Sequence, residues 1–211
     1  MTYTIRTGRF ETGTEEQQQG YVMLFGGEEI RYFFDLYFHW YNIVHELGHC
    51  IVEVYGAKMS GVDEEMYVNS LAVAYYRYVG ENQRLAELED RLTQIIGRIP
   101  APMPEGESFT AFYERIWNTE AINNVMTYGY FQLRSVLEAL RGNKDLKEVL
   151  SKIGVELQNA AAEPCDATIS AKNAAVFLQK TIADLEAMGV TVPTAHVELM
   201  DDPMIQCVRQ E

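Results

Sequence analysis

The segment Asp35–Tyr55, which reads DLYFHWYNIVHELGHCIVEVY, decides how the chain is interpreted. Its apolar side chains recur at intervals of three and four residues, the spacing of one face of an α-helix. A glycine, Gly56, follows the segment and is a suitable residue to end a helix. The sequence therefore predicts one helix over the whole segment, with an apolar stripe formed by Leu36, Trp40, Ile43, Val44, Leu47, Ile51 and Val54.

Within this predicted helix lies the pattern HELGH, residues 45–49. Residues four apart lie one turn apart on the same face, so the imidazoles of His45 and His49 can bind one metal ion. Zinc is the natural occupant, because it accepts imidazole nitrogens and a catalytic zinc keeps one position for water. The carboxylate of Glu46 can take a proton from that water, which predicts hydrolysis of peptide bonds. The alternative is a chance pattern of two surface histidines around an unrelated glutamate.

A third protein ligand is available on the next predicted helix, Asp63–Val79. Glu65 shares a helical face with Asn69 and Ala72, whereas Glu64 heads the apolar stripe of that helix. Asn69 can hydrogen-bond a ligating imidazole from behind and fix its tautomer, and the small Ala72 lets the first helix pack closely. We favour Glu65 over Glu64 as the third ligand. In the remaining alternative, both carboxylates only complement the positive end of the helix.

The HELGH pattern, followed by a helix with Glu-x-x-x-Asn-x-x-Ala, resembles the gluzincin type of zinc metallopeptidase. Within that type it is similar to the minimal, cytoplasmic ImmA/IrrE-like group, over about residues 21–79. The resemblance implies a strand before the HExxH helix, and a zincin-like fold. It also implies one zinc ion (Zn2+) per chain held by His45, His49 and Glu65, with Glu46 as general base and acid.

The β-structure that the sequence predicts lies in residues 1–34. The first twenty residues are polar, and we expect a loose N-terminus with one short strand at Tyr3–Arg6. Tyr21–Phe25 and Glu28–Phe34 are rich in strand-forming residues and flank the pair Gly26-Gly27, which permits a tight turn. The pattern predicts a small N-terminal β-hairpin ahead of the metal-site helix.

The remainder of the chain has the pattern of helices separated by loops. A proline-rich crossing at residues 99–108 separates the first half of the chain from a helical second half, residues 101–190. The tail at residues 191–211 has no assigned structure. We predict a single α+β, mostly helical domain over residues 1–211, in which residues 21–100 hold the hairpin and the metal-site helices. Further helices are predicted at Glu81–Ile96, at Ser108–Leu140 (either one helix or two with a break near Gly129), at Lys144–Ile153 and at Ser170–Met188.

Composition excludes several classes of function. The chain of 211 residues carries 31 acidic and 17 basic side chains, a formal net charge of -14. Nucleic acids and anionic membranes bind through concentrated Lys and Arg, so we expect neither as a partner. Cys50, Cys165 and Cys207 lack CxxC spacing, which indicates neither a disulfide framework nor a cysteine-rich zinc module. No stretch approaches the ~18 apolar residues of a membrane span, and these features together predict a cytoplasmic protein.

Three further side chains are candidates for stabilising the oxyanion of peptide hydrolysis, namely Tyr128, Tyr130 and His196. For the two tyrosines, packing with the hydroxyl at the surface is the simpler interpretation. His196 is expected to be exposed in the tail. Structural or surface roles are likewise expected for His39, Cys50 and Glu53.

The leading hypothesis is a zinc-dependent metallopeptidase that acts on a peptide or protein substrate, with Glu46 as general base. The alternative is a non-enzymatic regulatory or interaction protein that retains a zincin-like helical scaffold, because fold alone does not fix function. A purely structural zinc site would require a fourth protein ligand, for which His196 is the available histidine.

Overall fold

The computed structural model describes residues 1–201 and 206–210, and it has a mixed α+β, mostly helical architecture, which confirms the predicted class. The α-helices are α1 (Glu15–Phe25), α2 (Ile30–Phe34), α3 (Asn42–Val54), α4 (Gly61–Tyr78), α5 (Asn82–Ile96), α6 (Phe109–Ile116), α7 (Val125–Arg141), α8 (Leu146–Ser151) and α9 (Ala174–Ala187). A π-helical segment spans Asp35–Tyr41, and short 3₁₀ turns span Phe10–Thr12, Glu120–Asn123 and Ala171–Asn173. The strands are β1 (Thr2–Gly8), β2 (Thr194–Met200) and β3 (Gln206–Gln210).

A three-stranded sheet joins the two ends of the chain in the order β2-β1-β3. Strand β1 pairs in parallel with β2, with Thr2 opposite Thr194, and antiparallel with β3, with Thr2 opposite Gln210. The predicted strand at Tyr3–Arg6 is confirmed, but the prediction of a loose N-terminus is wrong. Residues of β1 are buried because they form the central strand, whose partners come from the unassigned tail.

The predicted β-hairpin is wrong, because its two segments are helical. Thr14 caps α1, with its side chain accepting from the Gln17 amide while the Gln17 side chain accepts from the Thr14 amide. The aromatic residues of the segment then share one helical face: Tyr21 stacks on Phe25 with ring centroids 5.7 Å apart. Gly26, with φ of 87°, ends the helix rather than turning a hairpin. Aromatic packing outweighs the local strand preference of these residues.

The predicted helix over Asp35–Tyr55 is present, but its first two turns are π-helical and α3 carries the rest. The ring of His39 fixes the wider turns by contacting Asp35 Oδ1 at 2.6 Å and the carbonyl oxygen of Gly8 at 2.7 Å. All residues from Leu36 to Tyr41 are buried. His39 therefore links the helix to the end of β1 and takes no part in the metal site.

Helix α4 packs closely on α3 at a glycine. A Cβ atom built on Gly48 would lie 3.0 Å from Val68 Cβ, which is tighter than ordinary contact. Ser60 caps α4 by accepting from the amide of Asp63, so α4 begins at Gly61, before the predicted start at Asp63. The Gly48 position lets α4 approach α3 closely enough for their side chains to meet.

In the second half, α6 and α7 are separated by residues 117–124, and the predicted break near Gly129 is wrong. Asn124 caps α7 by accepting from the amides of Met126 and Thr127. Gly129 instead lies inside α7 and faces Leu24 of α1, where a Cβ atom would make an ordinary van der Waals contact. The other predicted helices appear as α5, α8 and α9, shortened at their ends. Within the described residues, none of the helices has the length and apolar character to cross a membrane.

We expect Gly48→Val to lower the free energy of unfolding by about 2 to 3 kcal/mol, because the added side chain overpacks the contact with Val68. The matched control is Gly20→Val, since a Cβ on Gly20 of α1 meets nothing within 4 Å. The control should change the free energy by no more than about 0.5 kcal/mol. Urea unfolding monitored by circular dichroism measures both, and equal stabilities would argue against a tight α3–α4 contact.

Candidate metal centre

Three side chains from α3 and α4 bring their polar atoms together at one point. The Nε2 atoms of His45 and His49 lie 3.3 Å apart. Glu65 reaches the same point from α4, with Oε2 3.4 Å from His45 Nε2 and Oε1 3.7 Å from His49 Nε2. This metal-site triad of His45, His49 and Glu65 is a group that could hold a metal ion.

His45 is buried, and its ring is fixed from behind by Asn69. The Nδ1 atom of His45 lies 2.9 Å from Asn69 Oδ1, and Tyr41 donates its hydroxyl to the same oxygen at 2.9 Å. The other end of the amide, Nδ2, donates to the carbonyl oxygen of Glu65, which fixes the orientation of the Asn69 side chain. Because Oδ1 can only accept, Nδ1 carries the proton and Nε2 keeps its lone pair towards the triad.

His49 is fixed in the same way by Glu64. The Nδ1 atom of His49 lies 2.7 Å from Glu64 Oε1. A carboxylate accepts hydrogen bonds, so Nδ1 donates, and in the neutral ring Nε2 is the nitrogen with the lone pair. The structure thus brings Glu65 into the triad and places Glu64 behind His49, where a carboxylate partner increases the basicity of the imidazole. The two glutamates considered from the sequence have separate positions.

The donor set of the triad fits a metal ion. Ligands held at 2.0–2.1 Å around a tetrahedral zinc are about 3.3 to 3.4 Å from one another. The shortest separations between the three residues, 3.3, 3.4 and 3.7 Å, are close to that spacing, with Glu65 facing His45 through Oε2 and His49 through Oε1. One donor atom from each residue can be chosen so that all three lie within 4.8 Å of one another. Moreover, three acceptor atoms that face one another in a mostly buried site repel unless a cation lies between them. The arrangement therefore requires either a proton or a metal ion.

The pKa values of the two histidines show which of them holds a proton when no metal is bound. Burial and the charge of His49 lower the pKa of His45 to about 3. Burial also lowers the pKa of His49, but the hydrogen bond with Glu64 and the charges of Glu65 and Glu46 outweigh it and raise this pKa to about 9. At neutral pH the metal-free triad therefore carries its proton on His49, and a metal ion must displace that proton to bind.

Glu46 lies beside the triad on α3. Its Oε1 atom accepts a hydrogen bond from Asn42 Nδ2 at 3.1 Å, and Asn42 itself is buried. The negative charge of Glu46 contributes to raising the pKa values of His49 and Tyr128. Its charge acts on His49, so the carboxylate lies near the triad. Glu46 is only partly buried, and its carboxylate is therefore also within reach of solvent.

The rim of the site is formed by α7 and by an adjoining cleft. Gln132 Nε2 lies 3.3 Å from Glu65 Oε2 and 2.9 Å from the hydroxyl of Tyr128. On the side of His49, a cleft of about 500 Å³ is lined by His49, Glu64, Tyr3, Cys50, Val52, Glu53 and Ala57. The cleft reaches the triad at His49.

Sequence reasoning missed Tyr41, Asn42 and Gln132 as parts of the site. Tyr41 and Asn42 precede His45 and Glu46 by four residues, so helical spacing could have identified both. Gln132 is 67 residues away from Glu65, and no local pattern connects them.

The other residues considered from the sequence lie outside the triad. Tyr130 is buried in a second apolar cluster with Tyr113 and Phe131. His196 is exposed on β2, with Nε2 3.1 Å from Thr4 Oγ1. Cys50 is buried and its Sγ lies 3.3 Å from the carbonyl oxygen of Glu46, whereas Glu53 is exposed. The side chain of Cys207 lies outside the described part of the structure.

Comparisons of the chain with protein-family models, with curated protein sequences and with solved structures gave no significant match. The site is therefore defined by the positions of its own side chains. Those positions give it the donor set of a His-His-Glu metal centre.

We expect the purified protein to bind one divalent metal ion per chain, and His49→Ala and Glu65→Ala to abolish this binding, because each removes a triad ligand. Glu64→Gln should weaken binding by about 10- to 100-fold, because it removes the carboxylate behind His49. Elemental mass spectrometry and calorimetric titration measure these effects.

His196→Ala is the control for loss of a histidine, and it should bind metal as the wild type does. Circular dichroism verifies that each variant is folded. Undiminished metal content in a folded Glu65→Ala variant would exclude Glu65 as a ligand.

Proposed function

We propose that the protein is a cytoplasmic, zinc-dependent metallopeptidase of the gluzincin type that cleaves a peptide or protein substrate. The observation that carries the proposal is the triad itself: one acceptor atom from each of three residues, all within 4.8 Å of one another, with the charge of Glu46 acting on His49. The resemblance of HELGH and its following helix to that type agrees with this geometry.

Zinc is the metal that best suits this donor set. Two imidazole nitrogens and one carboxylate are the ligands of a well-known class of catalytic zinc site, in which a fourth position takes water. Softer metals favour thiolates, and magnesium and calcium favour sites made of oxygen atoms. The triad has no sulfur ligand and only one carboxylate.

Three protein ligands support a catalytic rather than a structural metal. A structural zinc is closed by four protein ligands. Within the described residues, the group that could hold a metal has three members. His196, the histidine that a structural site would need, contacts Thr4 on the sheet instead.

When bound, zinc lowers the pKa of a water molecule towards ~7 and polarises the carbonyl group of a substrate. The side chains of the protein then carry out the proton transfers. Glu46 accepts a proton on its carboxylate as the water attacks, and donates it to the nitrogen of the departing amine. Asn42 holds the Oε1 atom of Glu46 and so fixes the plane of the carboxylate. Asn69 and Glu64 keep both imidazoles in the tautomer that presents Nε2.

We expect Glu46→Gln to retain zinc but to reduce hydrolysis by about 10²- to 10⁴-fold, because the amide cannot accept the proton. The measurement is cleavage of a peptide library by the zinc-loaded protein, with zinc content determined on the same sample. Glu28→Gln, an exposed change away from the site, is the matched control.

Equal activity of the Glu46→Gln variant and the wild type would remove Glu46 from the mechanism. A zinc-loaded wild type that cleaves no peptide or protein would overturn the proposal. It would favour the alternative of a non-enzymatic interaction protein built on the same scaffold.

A further inference from the structure

Tyr128 lies at the rim of the metal centre, and Gln132 links it to the triad. Both residues are on α7, one turn apart. The Gln132 Nε2 atom lies 2.9 Å from the hydroxyl of Tyr128 and 3.3 Å from Glu65 Oε2. A single amide group therefore holds the phenol next to a ligand of the metal.

The hydrogen-bond roles in this link leave the phenol as a donor. Glu65 is ionised when it binds a metal, so its Oε2 only accepts, and the Gln132 group that faces it must be the NH₂ end. That NH₂ group then also donates to Tyr128, whose oxygen accepts. Because the phenol oxygen is the acceptor in this bond, its own proton is available to a further acceptor.

The charges around Tyr128 keep that proton in place. Burial raises the pKa of Tyr128, and the charges of Glu65 and Glu46 raise it further. The hydroxyl therefore stays protonated at neutral pH, and it lies close to the two carboxylates that flank the reaction. A hydroxyl in this state donates hydrogen bonds to any anionic oxygen that forms there.

Tyr128 is also accessible to solvent, unlike a second tyrosine that the same two glutamates affect. The charges of Glu65 and Glu46 act on Tyr37 as well. However, Tyr37 is 4% exposed, whereas Tyr128 is 43% exposed. A substrate at the triad can reach Tyr128 without rearranging the core. The helix α7 packs against α4 and α5.

We propose that Tyr128 is a catalytic residue that donates a hydrogen bond to the carbonyl oxygen of the scissile peptide bond as negative charge develops on it. Gln132 is the positioning residue that holds the phenol at the triad. The proton stays on the phenol throughout, so no bond to Tyr128 forms or breaks. The inference rests on the proposed peptidase function and assigns its oxyanion donor. The simpler role of surface packing does not account for the contact with Gln132.

The test is Tyr128→Phe, which removes only the hydroxyl. We expect kcat to fall by about 100-fold, the effect of removing one oxyanion donor, while KM changes by no more than about twofold. Tyr130→Phe is the matched control, because Tyr130 lies two residues away on α7 but is buried in the second apolar cluster. Gln132→Met, which keeps the length of the side chain but donates no hydrogen bond, should reduce kcat by a smaller factor than Tyr128→Phe.

A second measurement uses binding instead of turnover. A phosphinic analogue of a cleaved peptide carries a tetrahedral anionic group that resembles the transition state. Its affinity, measured by calorimetry, should fall in Tyr128→Phe by about the same factor as kcat/KM and remain unchanged in Tyr130→Phe. Zinc content should be the same in all variants, and loss of zinc from Tyr128→Phe would overturn the assignment by making Tyr128 a metal ligand.

The outcomes separate this inference from the function on which it rests. If the wild type hydrolyses peptides and Tyr128→Phe has the same kcat as Tyr130→Phe, the proposed peptidase function is retained. Tyr128 is then excluded from its mechanism. Absence of hydrolysis by the zinc-loaded wild type would remove both. A fall in kcat with an unchanged affinity for the phosphinic peptide would also exclude donation to the oxyanion.

Discussion

The close contact of α3 with α4 at Gly48 is the constraint on which the site depends. Because Gly48 has no side chain, Val68 of α4 lies in space that a Cβ atom at this position of α3 would need. Because the two helices are so close, Glu65 near the start of α4 can reach the imidazoles of His45 and His49. Glu64, the preceding residue, reaches the outer nitrogen of His49. The close contact of the two helices thus places both Glu65 at the triad and Glu64 behind His49.

Around that contact, the hydrogen bonds all serve to present lone pairs to one point. Asn69 and Glu64 accept hydrogen bonds from the outer ring nitrogens, so the inner nitrogens of the neutral rings carry the lone pairs. Gln132 donates to Glu65 from the other side and orients its carboxylate. The result is a buried concentration of acceptors that is stable only around a cation. A proton on His49 satisfies this requirement in the metal-free protein, and a bound metal ion would take its place.

The fold around the site differs from the local preferences of its sequence at two places. Tyr21–Phe25 has strand-forming residues, yet it is helical because the ring of Tyr21 packs edge-on against Phe34 and Phe38, with centroids 5.1 and 5.7 Å away. The N-terminal segment has weak local signals, yet it forms the central strand of the sheet, since its partners come from the far end of the chain. In both cases contacts distant in sequence decided the structure, and a local pattern could not reveal them.

The sequence by itself determined the helix of HELGH, the common face of His45 and His49, and the adjacency of Glu46, because helical spacing is a local property. It also offered two neighbouring glutamates as candidates for the third ligand, beside the alternative that both only complement the end of the helix. Only the tertiary structure showed that Glu65 and not Glu64 joins the group that could hold a metal, since this depends on how α4 rotates against α3 at Gly48. The same holds for Gln132 and Tyr128, which a separate helix brings to the triad. Local periodicity specifies which face a residue occupies, and packing between helices specifies which faces meet.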